Sequence, residues 1–94
     1  MADSAHRIAL PNRLGIANVT AFKEVLTGCF EQSGPIHVEA DAVERIDAAG
    51  LQLMFAFVTA AHERGQPVEW KAPSEVVLKT ATMLGLAEAL GLGG

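Results

Sequence analysis

Few side chains in this sequence are of a type and spacing that could do covalent chemistry. Histidine stands at positions 6, 37 and 62, far apart and on different segments, and no C-x-x-C or H-x-x-x-H spacing gathers ligands for a metal ion. Cys29, the single cysteine, falls on the apolar side of a helical pattern, where a thiol is a small core hydrophobe and not a nucleophile. Neither G-x-G-x-x-G nor G-x-x-x-x-G-K-[ST] occurs, so no nucleotide-cradling loop is expected. Asp41, Glu44 and Asp47 form a loose acidic group, readable as solvated loop charges or as a patch that orients a basic partner surface. Catalysis needs converging groups, a nucleophile with its base, paired carboxylates or a metal, and the sequence supplies no such set. Catalytic residues, cofactors and metals are therefore not expected.

One stretch remains. In Ile46-Asp47-Ala48-Ala49-Gly50-Leu51-Gln52-Leu53 an extended acidic segment gives way to a strongly apolar helix, with Asp47 at the join. An aspartate there accepts a hydrogen bond from free amides of the first turn, and its charge suits the positive end of the helix dipole. Ala48, Ala49 and Gly50 carry almost no side chain, so another molecule could approach the backbone at this helix end.

The elements that must position this corner follow from periodicity. Met1 to Ala5 has no pattern and reads as a frayed end. Ile8 and Leu10 share one side of a strand, Pro11-Asn12-Arg13 has turn chemistry, and Leu14-Gly15-Ile16 can return as a second strand, giving a hairpin. Asn18 or Thr20 can cap a helix with Phe22, Val25, Leu26, Cys29 and Phe30 on one face, stopped by Ser33-Gly34-Pro35. Ile36, Val38 and Ala40 alternate with polar neighbours, as do Val68 and Trp70, so these strands have one covered and one wet face. That pattern argues against a doubly wound sheet and for helices packed mainly on one face. Between them runs the central helix, Ala48 to about Arg64, ended by Gly65. Ser74 caps a further helix with Val77, Leu78, Ala81 and Leu84 as its buried side, and Ala87 to Leu90 adds a short turn before the glycine tail.

The central helix carries two apolar stripes. Leu51, Met54, Phe55, Val58 and His62 form one, and Leu53, Phe57 and Ala60 form another turned well away from it. One sheet face cannot cover both. Either neighbouring helices pack over the second stripe, or Leu53 and Phe57 help form an exposed docking patch beside Ala48-Ala49-Gly50.

Length and composition agree with one compact unit spanning residues 1–94, half of them hydrophobic. A net charge of −4 with seven scattered Lys and Arg leaves no phosphate-backbone footprint, so nucleic acid is not an expected partner. Leu53 to Val58, the longest apolar run, is far short of the ~20 residues a bilayer crossing needs, so direct membrane insertion is not expected. An unpaired cysteine and no leader-like start point to a reducing cytoplasm.

With its β-rich approach and apolar helix, Ile46-Asp47-Ala48-Ala49-Gly50-Leu51 resembles the signature of the STAS domain family, and the likeness runs from about His6 to Leu92. The resemblance implies an α/β fold, a four-stranded mixed β-sheet with helices mainly on one face. It also implies a non-catalytic module that binds a protein partner through Asp47, Ala48, Ala49, Gly50 and Leu51, joined by Leu53 and Phe57. In the anti-sigma-factor antagonist branch the partner would be an anti-sigma factor or a related histidine-kinase-like ATPase. Two other settings are open: a subunit bracing the ATPase of a lipid-transport ABC complex, and an adaptor in a chemotaxis or two-component cluster. Homodimer formation is also compatible. Switchable antagonists carry a Ser or Thr directly after the aspartate, and here Ala48 occupies that place. No phosphosite is expected, because no hydroxyl is there to accept a phosphoryl group.

Overall fold

The computed structural model describes residues 6–92, and the expected frayed start, Met1 to Ala5, lies outside them. In chain order the elements are β1 (His6–Ala9), β2 (Arg13–Leu14), α1 (Val19–Gly28) with a 3-10 turn at Cys29–Glu31, β3 (Ile36–Glu39), β4 (Arg45–Ile46), α2 (Ala48–Glu63), β5 (Val68–Lys71), α3 (Glu75–Met83) and α4 (Ala87–Leu90).

Alternation decides which face of the main sheet is covered. Strands β1, β3 and β5 pair in that order, all parallel. Register places Ile8, Val38 and Trp70 in one row across the sheet and Arg7, His37 and Glu69 in the next. Successive residues point to opposite faces, so the first row meets the core and the second meets solvent. The solvent side is laced with charge: Arg7 pairs with Glu39 at 3.3 Å, Lys71 with Glu69 at 3.3 Å, and His37 Nε2 lies 3.6 Å from Glu69. The helices accordingly cover the other side, as the sequence patterning predicts.

The pairing itself differs from the expected hairpin. Strands β2 and β4 form a separate two-stranded parallel ribbon, and every strand pair among the described residues is parallel. The turn residues are used for something else. The Asn12 carbonyl accepts from the amides of Glu44 and Arg45, at 2.7 and 3.0 Å, and the Asn12 side-chain amide donates to the Ala42 carbonyl. Pro11-Asn12 therefore carries the chain across to the segment before α2 and does not fold it back on β1.

Helix α2 lies at the centre of the core, with Leu51, Met54, Phe57, Val58 and Ala61 all buried. Its second stripe is covered in part: the Phe57 ring stacks on Phe30, in the turn after α1, at 5.3 Å between centroids and 22° between planes, while Leu53 and Ala60 are half-buried. Arg64 closes over the outside, with its guanidinium 4.8 Å from the Phe30 ring and a hydrogen bond to the Phe30 carbonyl. Gln66, buried just past the helix, donates from its amide nitrogen to the carbonyls of Gln32 and Gly34 at 2.9 Å each, so one side chain joins the end of α2 to the approach to β3. Trp70 donates to the Leu90 carbonyl at 2.7 Å and so ties α4 to β5.

The outer helices bury less than their patterns suggest. On α1, Leu26 is buried but Val25 is 53% exposed, and on α3, Val77 and Ala81 are buried while Leu78 and Leu84 are exposed. Each of these helices has the body of the protein on one side only, so the edges of an apolar arc remain outside. Asn18 makes no side-chain cap bond to α1; its oxygen accepts from the Gly15 amide and its nitrogen donates to the Arg13 carbonyl, fixing the loop before the helix.

Candidate functional site

Asp47 holds two backbone segments with one carboxylate. Its Oδ1 accepts from the Gly50 amide at 2.9 Å, the cap expected from sequence, and its Oδ2 accepts from the Ile16 amide at 3.0 Å. These bonds, Gly50 first and Ile16 next, hold its pKa below the ordinary aspartate value, because each donor favours the charged form. The carboxylate thus belongs to the fold, and the start of α2 already has an internal anion.

The small residues around it have separate reasons to be small. A Cβ on Gly50 would collide with the Leu14 carbonyl oxygen, and a Cβ on Gly15 would collide with the Asp47 carboxylate. Backbone meets backbone at the first contact, so α2 and β2 approach each other more closely than any side chain permits. Gly50 is accordingly buried, whereas Ala48 is exposed and Ala49 half-buried. The corner is accessible at its tip and closed at its base.

Beside the tip runs an open groove of about 740 Å³, whose lining includes Arg13, Ile16, Arg45, Asp47, Val76 and Thr80. Ile16 is 78% exposed although its amide is fixed to Asp47. An isoleucine held in solvent by a rigid loop has no role in the core. Met83, 75% exposed, stands one turn beyond Thr80 on α3 and extends the same side of that helix.

Of the residues proposed from sequence, Asp47, Ala48 and Ala49 form the accessible corner. Gly50 and Leu51 are buried and Phe57 is 4% exposed, so none of the three can touch a docked surface directly, and here the direct-contact expectation is corrected. Leu51 and Phe57 belong to the core. Leu53 is half-buried and lines a smaller groove of about 210 Å³ between α1 and α2, together with Lys23, Phe30 and Ala56. Ile16 and the two arginines escaped the sequence reading, since a β-propensity pattern assigned Leu14-Gly15-Ile16 to a hairpin strand. The available signal was Gly15, a residue with no side chain immediately before an isoleucine.

Cys29 is buried in the core and burial pushes its thiol pKa up, as befits a packing residue. Among the described residues no group of three or more His, Cys, Asp or Glu is gathered as a metal site would need. No described helix is long and apolar enough to cross a membrane.

Comparison with known proteins bears on this arrangement. No curated protein matches the chain in sequence. Among solved structures, a sulfate transporter family protein from Wolinella succinogenes is similar with a TM-score of 0.79 and 20% identity, over 94% of this chain and 72% of that one. A protein from Thermotoga maritima, described as an anti-sigma factor antagonist, is similar with a TM-score of 0.73 and 21% identity, over 94% of this chain and 77% of that one. At such identities the likeness is one of fold. The family model described as "Mlab, STAS domain" matches residues 1–93. With that match over nearly its whole length, and with an Asp-capped central helix packed on a parallel sheet, the chain belongs to the STAS domain family.

Proposed function

We propose that this STAS domain is a non-catalytic docking module that binds a protein partner through the corner formed by Ile16, Asp47, Ala48 and Ala49. The observation that carries the reading is Ile16: a large apolar side chain, 78% exposed, with its backbone fixed by Asp47 next to the bare tip of α2. A preorganised apolar contact beside small side chains loses little entropy on docking. In the antagonist setting the partner is an anti-sigma factor or a histidine-kinase-like ATPase, and the corner lacks the hydroxyl that would let phosphorylation bring about two negative charges into the contact. Binding is then constitutive, with any regulation placed on the partner.

A second reading is favoured by the family match, whose description is "Mlab, STAS domain". In it the protein is a subunit bracing the ATPase of a lipid-transport ABC complex. Capture on tagged protein followed by mass spectrometry separates the two: a soluble kinase-like ATPase supports the first, a membrane-associated ABC ATPase the second. Ala48→Arg is expected to abolish capture of either partner while leaving the melting temperature almost unchanged, since Ala48 is exposed. Capture that survives this change, or a stoichiometric phosphate appearing between Ile46 and Leu53 after incubation with kinase and ATP, would remove the proposal's basis.

A further inference from the structure

Two arginines at the docking groove have no acidic partner among the described residues. Arg13 and Arg45 are register partners across the parallel β2–β4 ribbon, so their backbones lie about 4.8 Å apart. Both are exposed and both line the groove. The ion pairs of the described residues engage Arg7, His37 and Lys71, and the guanidinium hydrogen bonds belong to Arg7 and Arg64. Glu44 lines the same groove outside ion-pair distance of either arginine, and the Asp47 carboxylate is already occupied by the Gly50 and Ile16 amides. Like charges placed opposite each other on neighbouring strands disfavour the pairing. Glu44 and Asp47 balance the two arginines in the count of groove charges, but neither carboxylate pairs with them.

The same lining includes the apolar Ile16 and Val76. An occupant that suits the arginines and these apolar groups carries carboxylates on one edge and aliphatic groups next to them. Resting on the reading of this corner as a docking site, we propose that Arg13 and Arg45 together anchor an acidic amphipathic helix of the protein partner. Two carboxylates one helical turn apart have Cβ atoms roughly 5–6 Å from each other, which matches the separation of the arginine pair. Each guanidinium can take one carboxylate through two parallel hydrogen bonds. The apolar side chains beside them reach Ile16 and Val76.

The test uses the full chain, isotopically labelled for NMR, and a short synthetic helical peptide of leucines with two glutamates four residues apart. Binding is expected to shift the Arg13 and Arg45 Nε resonances together with the Ile16 and Thr80 amides, and to weaken as salt is raised. It is also expected to fall at least about fivefold when glutamines replace the peptide's glutamates or when the protein carries Arg13→Gln with Arg45→Gln. Equal binding of the glutamine peptide, or undiminished binding to the double variant, overturns the proposal. So does a result in which inorganic phosphate or anionic phospholipid vesicles move these resonances and the peptide does not. The neutral, bulkier Ala48→Gln separates the corner from the arginine anchor without adding a charge. Peptide binding that is lost there but kept in the arginine double variant leaves the corner standing and removes the arginine anchor; binding kept with Ala48→Gln and lost in the double variant does the reverse.

Discussion

Asp47 shows how one exposed residue can hold two backbone segments together. Its carboxylate satisfies an amide of α2 and an amide of the loop before α1, and both bonds are strongest while it is charged. A carboxylate whose folded pKa is depressed contributes stability above its unfolded pKa and loses it as pH falls through the folded one. The unfolded value is about 3.9, so the loss is expected below about pH 4. An acid titration of the melting temperature should therefore fall more steeply for the natural protein than for Asp47→Asn, which starts lower at neutral pH and has no charge to lose. Parallel curves would mean that the two amides do not report on folding.

Gly50 provides a second test at this scale. Its missing Cβ admits the Leu14 carbonyl, and because the obstacle is backbone it cannot rotate away. Gly50→Ala should destabilise by about 1–3 kcal/mol despite its better helix propensity, lowering the melting temperature by roughly 4–8 °C per kcal/mol in a domain of this size. An unchanged or raised melting temperature would show that β2 and α2 are less tightly apposed than the structure has them.

Among the elements, α2 buries the most residues: Leu51, Met54 and Val58 lie in the core, and Phe57, on its second apolar side, stacks on Phe30 in the turn after α1. Phe57→Ala removes a stacked, buried ring and should destabilise by about 3–5 kcal/mol. Val25→Ala, on the solvent side of α1, should change stability by no more than about 0.5 kcal/mol. Chemical denaturation of both variants distinguishes this packing from the alternative in which the second stripe is a docking patch, where the Phe57 change would weaken partner capture and spare stability. Helix α3 differs from α2: it buries Val77 and Ala81 and leaves Leu78, Met83 and Leu84 outside.

On the scale of the whole molecule, the sheet is polar on one side, the helices lie on the other, and the residues of the proposed docking corner gather at one edge, where β2, β4 and the start of α2 meet. Long-range ties close the body around this arrangement, including Gln66 to Gln32 and Gly34, and Trp70 to Leu90. Cys29 reports on that closure, since its thiol is buried and its pKa raised. A neutral-pH thiol reagent should modify it at a rate that follows unfolding, and stabilising solutes should slow the reaction in proportion to the folding equilibrium. Rapid labelling of the folded protein, insensitive to such solutes, would place Cys29 at the surface.

The amino-acid sequence determined the parts of this protein governed by local periodicity and by end chemistry. The alternation of Ile36 and Val38 fixed the covered face of β3, Asp47 fixed the start of α2, and Gly65 its end. These are properties of neighbours a few residues apart. Only the tertiary structure decided that Pro11-Asn12 carries the chain across instead of back, that Phe57 is core, and that Ile16, Arg13 and Arg45 converge beside Asp47. Each of these depends on segments some thirty residues apart, whose pairing no local pattern encodes: the Asn12 carbonyl had to find the amides of Glu44 and Arg45 before two arginines could stand side by side.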